Sequence, residues 1–167
     1  MGEINYDVDF VERTKHVLAE YDGEYRLTVL LNCLIGLIIL PNERSQRNIP
    51  ELWNINIEDI PLCSDLKINI FNPIKGRNRN TGEITYYPKT LKIFLKKMRN
   101  GIVHQHIEAI NEKSFFVGVK ISNLYDSDCD LEVEFRREEL TKFALFIADQ
   151  YLLNAGKETQ TNVRNKI

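Results

Sequence analysis

The chain has 167 residues, 43% of them hydrophobic and 28% charged, with a formal net charge of −2. That suffices for a globular core and excludes a protein that holds nucleic acid by overall charge; such binding needs a local basic patch. Cys33, Cys63 and Cys129 stand apart without paired metal-ligand spacing, which argues against a disulfide framework or a zinc site and for a reducing cytoplasm.

The N-terminus, "MGEINYDVDF", is acidic and has no apolar h-region, so it does not read as a secretory signal. Tyr6 stands where a myristoylation signal wants Ser or Thr. A first helix is expected from Asp7 or Asp9, with Phe10, Thr14, Val17, Leu18 and Tyr21 at helical spacing and Gly23 as its stop. His16 belongs to its mixed-charge outer face. A second helix, about Tyr25 to Leu40, is apolar nearly all round, which predicts a central position covered on several sides. It is short for a membrane span and contains Asn32, expected to be a core polar group with a local partner; Pro41 is expected to end it.

Residues 42–87 show weak periodicity. A short helix is expected near Cys63 to Phe71, and "IKGRNRNTGEITYY" reads as a polar, basic loop turning at Gly76 and Gly82. Thr90 or Pro88 opens a third helix with Leu91, Phe94, Leu95, Met98 and Ile102 as its core stripe. Beyond it, "SFFVGVKISNL" and "DLEVEFR" are rich in β-branched and aromatic residues, and the acidic turn "YDSDCD" joins them into a β-hairpin over about 115–136. A last helix follows, with Leu140, Phe143, Ala144, Ile147, Tyr151 and Leu152 on one side and Gly156 after it. The polar tail 157–167 is expected to fray. The sum is one domain, 1–156, mainly α: a helical bundle with an inserted β-hairpin.

Two stretches invite chemistry. Asp126, Asp128 and Asp130 alternate as in a calcium loop, but the sixth position is Leu131 instead of Gly and the twelfth is Arg137 instead of Glu, so a hairpin turn is the better reading. The stronger candidate is "FLKKMRNGIVHQHIEA". Lys89, Lys92, Lys96 and Arg99 fall at steps of three and four and form a basic stripe suited to a phosphate backbone, with Lys75, Arg77 and Arg79 adding charge from the preceding loop. Asn100 and His104 lie on nearly one helical face, whereas Arg99 and His104 are rotated by about 140°. Gly101 eases the helix or permits another backbone to approach closely, and a second copy of the chain would complete the site.

"RNGIVH" resembles the signature of the HEPN superfamily (higher eukaryotes and prokaryotes nucleotide-binding domains), in which Arg and a polar residue precede His by a short gap. The likeness extends over the apolar second helix, the motif helix, and the hairpin with the final helix, where it resembles a plasmid-borne bacterial branch. It implies Arg99 and His104 as a catalytic pair, with Asn100 the accompanying polar residue. His106 also satisfies the gap from Arg99; His104 is preferred because it shares a face with Asn100. Some HEPN domains have a tyrosine two residues after the motif histidine that a partner antitoxin modifies, and His106 occupies that position here.

The resemblance implies a homodimer acting as a metal-independent endoribonuclease of the toxin–antitoxin or phage-defence type. Its substrate is RNA, its partner an antitoxin or defence-system protein, and it needs neither cofactor nor membrane. Lys89, Lys92, Lys96, Arg77 and Arg79 would bind RNA. The alternative is a catalytically silent HEPN-like module that binds RNA or protein.

Overall fold

The structure, a computed structural model, describes residues 6–23, 25–44 and 51–164. The N-terminal signal readings, residues 45–50 and the end of the expected tail, 165–167, lie outside them. The chain divides into two compact units, one formed by Met1–Leu52 with Thr141–Ile167 and the other by Trp53–Leu140.

The first unit is helical. Helix α1 spans Tyr6–Glu20 and α2 spans Arg26–Arg44; α5, Arg137–Arg164, has its first turn in the second unit and its remainder in this one. Helix α1 buries Val11, Thr14 and Leu18, while Val17 stays exposed. It packs on α2, where Gly36 leaves room for the Phe10 ring: an added Cβ would lie 2.8 Å from it. Lys15 and Asp149 join α1 to α5 at 2.5 Å.

Helix α2 departs from expectation twice. Leu30, Leu34 and Leu37 are buried, but Leu31 and Ile35 are only half-buried and Asn32 is exposed, so it is covered on one side, with Asn32 on the solvent side. It also continues through Pro41 to Arg44, because a proline removes one amide donor without forbidding the residues after it. Among the described residues no helix is long and apolar enough to cross a membrane. Helix α5 likewise runs past Gly156, through most of the segment expected to be a frayed tail.

The second unit overturns the mainly α reading. The stretch 115–136 does pair as a hairpin, β5 (Phe115–Tyr125) with β6 (Asp128–Arg136), but these are the middle strands of a four-stranded antiparallel sheet ordered β1-β6-β5-β4. The edges are β1 (Lys67–Phe71) and β4 (Ile107–Glu112). A second, two-stranded sheet pairs β2 (Ile74–Arg77) with β3 (Ile84–Tyr86), in the stretch expected to be a loop. Gly82, at φ 73°, turns that hairpin, while Gly76 sits inside β2. The chain is therefore mixed α/β, not a bundle with one insertion. The helix expected over Cys63 to Phe71 splits into a four-residue helix α3, Pro61–Ser64, followed by β1, where Ile68 and Ile70 alternate with Lys67 and Asn69.

Sheet and helix α4 (Leu91–Val103) share one core. Val119, Ile121, Leu131, Val133 and Phe135 are buried, as are Leu91, Phe94, Leu95, Met98 and Ile102, all five of the residues expected in the helix stripe. Phe71 meets Phe94 edge to face at 5.4 Å. The opposite sheet face is a charge ladder. Glu108, Lys120, Glu134 and Lys67 stand in register across all four strands, with Lys120 2.8 Å from Glu108 and Lys67 2.7 Å from Glu134. The tight turns Asp126–Ser127 and Lys113–Ser114 have both residues at positive φ, the primed geometry that matches strand twist.

Candidate active site at the end of helix α4

The motif occupies the place where α4 stops and β4 begins. Thr90 caps the helix start, its hydroxyl accepting the Ile93 N–H at 3.4 Å. Arg99 and Asn100, in the last turns, are half-buried, and His104 is the exposed C-cap residue.

Three backbone bonds end the helix. The N–H groups of His104, Gln105 and His106 donate to the carbonyls of Asn100 (2.9 Å), Ile102 (3.0 Å) and Gly101 (2.8 Å). The last two form a Schellman motif, which needs a left-handed residue after the cap. Gln105 fills that position at φ 61° where glycine would be usual. The reversal delivers His106 to the start of β4, where its carbonyl accepts the Ser122 N–H of β5 at 3.0 Å.

As a result two imidazoles lie together. The rings of His104 and His106 are 6.1 Å apart between centroids and tilted by 35°. Nδ1 of His106 is buried and has no hydrogen-bond partner among the described residues, which leaves Nε2 as its nitrogen for chemistry. Since His104 keeps its helical bond to Asn100, the rotation of about 140° between Arg99 and His104 persists within one chain.

Gly101 does permit a close backbone approach, but that of β5 in the same chain. A Cβ there would fall 2.3 Å from the Ser122 carbonyl oxygen. Of the two expectations for Gly101, close approach by another backbone is the one observed.

The basic residues divide. Lys92 and Lys96 are exposed on α4, with the Lys96 ammonium 5.2 Å from the centre of the Tyr87 ring. Lys89 precedes the cap and so lies off the helix; it lines a separate cleft of about 470 Å³ with Ile57, Cys63 and Phe71. Burial pushes the Cys63 thiol there up to about 11, which makes it an inert cysteine. Arg77 is ion-paired with Asp128, and Arg79 is exposed in the β2–β3 turn. The helix end itself presents carbonyls, the wrong polarity for a phosphate, so positive charge at this site comes from side chains.

Sequence reasoning missed the polar cluster beneath α4. Lys97 is 4% exposed and Asp130 fully buried, and Lys97 Nζ lies 2.5 Å from Asp130 Oδ2. That ammonium also donates to the Ile74 carbonyl (3.1 Å), and Asp130 accepts from the Ile74 N–H (3.0 Å) and Asn123 Nδ2 (2.6 Å). A signal was present: Lys97 stands three residues after Phe94 and four before Gly101, on the buried face. Asp130 gave less warning, because a register shift between Asn123 and Leu124 leaves it the extra residue of a bulge and turns it inward beside Leu131.

A family model described as HEPN pEK499 p136 matches residues 1–158. The chain belongs to this plasmid-associated HEPN family. No curated protein and no solved structure matches it. HEPN membership suggests a nucleotide-binding or ribonuclease-like function.

Proposed function

We propose that this HEPN protein is a metal-independent endoribonuclease of the toxin–antitoxin or phage-defence kind. The observation that carries the reading is the exposed His104 at the C-cap of α4, one helical turn after Asn100 and in the spacing Arg–Asn–Gly–Ile–Val–His, in a chain of a HEPN family. RNA brings its own nucleophile, the 2′-hydroxyl. His104 moves a proton at the attacking or leaving oxygen, since an imidazole changes charge near neutrality. Arg99 holds the phosphate and stabilises the charge that builds on its oxygens. Asn100 orients the histidine or the phosphate. The products are a cyclic phosphate and a free 5′-hydroxyl.

The wide rotation between Arg99 and His104 supports a homodimer in which each cleft takes its arginine from one chain and its histidine from the other. Mixing Arg99→Ala with His104→Ala chains then restores one intact site per mixed dimer, whereas a site built within one chain restores none. The reading as a whole is tested by incubating the protein with total RNA in excess chelator. His104→Ala slows cleavage by about 10²–10⁴-fold if the histidine transfers the proton. Equal cleavage by that variant removes the assignment.

A further inference from the structure

We infer that His106 is a second catalytic residue, and that it and His104 form an acid–base couple from one chain. The inference rests on the ribonuclease reading above and extends it to a residue that the Arg–His pairing does not use. Transphosphorylation needs two proton transfers. One group removes the proton of the 2′-hydroxyl as the 2′-oxygen bonds to phosphorus; another supplies a proton to the 5′-oxygen as the bond from phosphorus to that oxygen breaks. A single imidazole performs both only by carrying a proton between two oxygens on opposite sides of the phosphorus. Two imidazoles, one neutral and one protonated, serve both at once, exchange charge states in the turnover, and reset through water.

The turn is built for this. The Schellman motif folds the chain back within three residues, and the left-handed Gln105 separates the histidines so that both rings emerge on the same side of the turn. At 6.1 Å between centroids they are too far apart to bond each other, yet each lies within reach of a different oxygen of one phosphodiester between them. His104 is free to adjust at the exposed cap. His106 has its backbone held, its N–H bound to Gly101 and its carbonyl to Ser122, and with Nδ1 buried its Nε2 is the nitrogen left to meet a substrate. Two imidazoles from one turn, together with the Arg99 that the ribonuclease reading assigns to the phosphate, form the set that this reaction requires.

The test uses the full chain in excess chelator with two versions of one RNA oligonucleotide, one natural and one carrying sulfur in place of the bridging 5′-oxygen at the cleavage site. The sulfur leaves without being protonated, so it makes the general acid dispensable and leaves the base essential. On natural RNA, His104→Ala and His106→Ala each lose about 10²-fold or more. On the sulfur substrate one of the two variants recovers to near wild-type rate and the other does not, which also assigns the roles. His106→Gln, which keeps a polar side chain of similar reach, guards against a folding defect and behaves as His106→Ala does, with an unchanged melting curve. Wild-type rates for both His106 variants on natural RNA overturn the couple while leaving the endoribonuclease reading intact. Loss in both His106 variants with no rescue of either histidine variant by sulfur also overturns it, in favour of His106 as a turn residue. A wild-type chain that cuts neither RNA overturns the couple and the ribonuclease reading together.

Discussion

Lys96 and Lys97 are neighbours in sequence and opposites in environment. Lys96 stands in solvent near the Tyr87 ring, one member of an exposed row with Lys92. Lys97 points into the second unit, against Asp130, the Ile74 carbonyl and the faces of Tyr87 and Tyr125 at 5.9 and 5.7 Å. One step around the helix, about 100°, separates a charge that keeps its water from one that has lost it. The first is available to a ligand and adds little to stability. The second is committed to the fold, because a buried ammonium is tolerable only where an anion and further hydrogen bonds replace its hydration. A count of lysines along α4 therefore says little about a nucleic-acid surface until each is assigned to a face.

The largest expected effect lies on the buried side. Lys97→Met leaves the Asp130 carboxylate buried without its counter-ion, and loss of about 3–5 kcal/mol is expected, read from the denaturant midpoint. The double variant Lys97→Met/Asp130→Leu removes both charges and recovers most of that loss, since a buried pair replaced by apolar groups is often neutral. A double variant no better than the single one would show that Asp130 holds Ile74 and Asn123 in place on its own account.

Gly101 lies on the same buried face and gives the next largest effect. Alanine gains about 1 kcal/mol of helix propensity in general. Here its Cβ would meet the Ser122 carbonyl, part of a paired strand that cannot rotate away, so overpacking wins and a net loss of about 1–3 kcal/mol is expected. Because Ser122 also bonds His106, the variant should lose RNA cleavage beyond its loss of stability. A variant as stable as wild type would show that α4 and β5 part to admit a methyl group without loss.

These two faces also explain what the sequence revealed. Helices α4 and α5 were legible because their apolar residues recur at helical spacing and nearly all end up buried, whereas in α1 the spacing marked the helix but Val17 stays exposed. The middle of the sheet was legible in part, since Leu131, Val133 and Phe135 alternate with charged residues. The edges were hidden. In β1 only two isoleucines mark the alternation, and β4 carries Glu108, Glu112 and Asn111 on a largely exposed strand, so neither offers the apolar pattern of a buried one. Arg99, Asn100 and His104 could be picked from the motif alone. Their relation to His106 could not, because it depends on a left-handed glutamine at a position where sequence signals expect glycine.

A third environment lies between the two lysines: charges on a sheet surface, paired but wet. Lys67 holds the Glu134 carboxyl below its ordinary value through their hydrogen bond, with Asn69 adding a second at 2.8 Å. A carboxyl lowered by folding contributes stability that is complete above its unfolded value, near 4.5, and is lost as the pH falls through its folded value. Solvent screening keeps the contribution to about 0.2–1 kcal/mol. Glu134→Gln should therefore lower the urea midpoint slightly at pH 7 and flatten its decline below pH 4.5. Parallel acid limbs in the two proteins would remove Glu134 from the account.

The smallest effect on stability belongs to the exposed row, and it isolates binding from folding. Reversing Lys92 and Lys96 to Glu breaks no buried contact, so stability should stay within about 0.5 kcal/mol of wild type. Binding of a single-stranded RNA, measured in the His104→Ala background so that cutting is slow, should weaken. Each phosphate contact on a single strand contributes about 0.7 to the slope of log affinity against log salt, so losing both contacts should flatten that slope by about 1.4. The slope is the better reading, because a general loss of affinity also follows from damage to the fold, whereas a flatter salt dependence at unchanged stability follows only from fewer displaced counterions. If slope and affinity both stay at wild-type values, Lys92 and Lys96 are a solvated face, and the RNA must run past the histidines by another path.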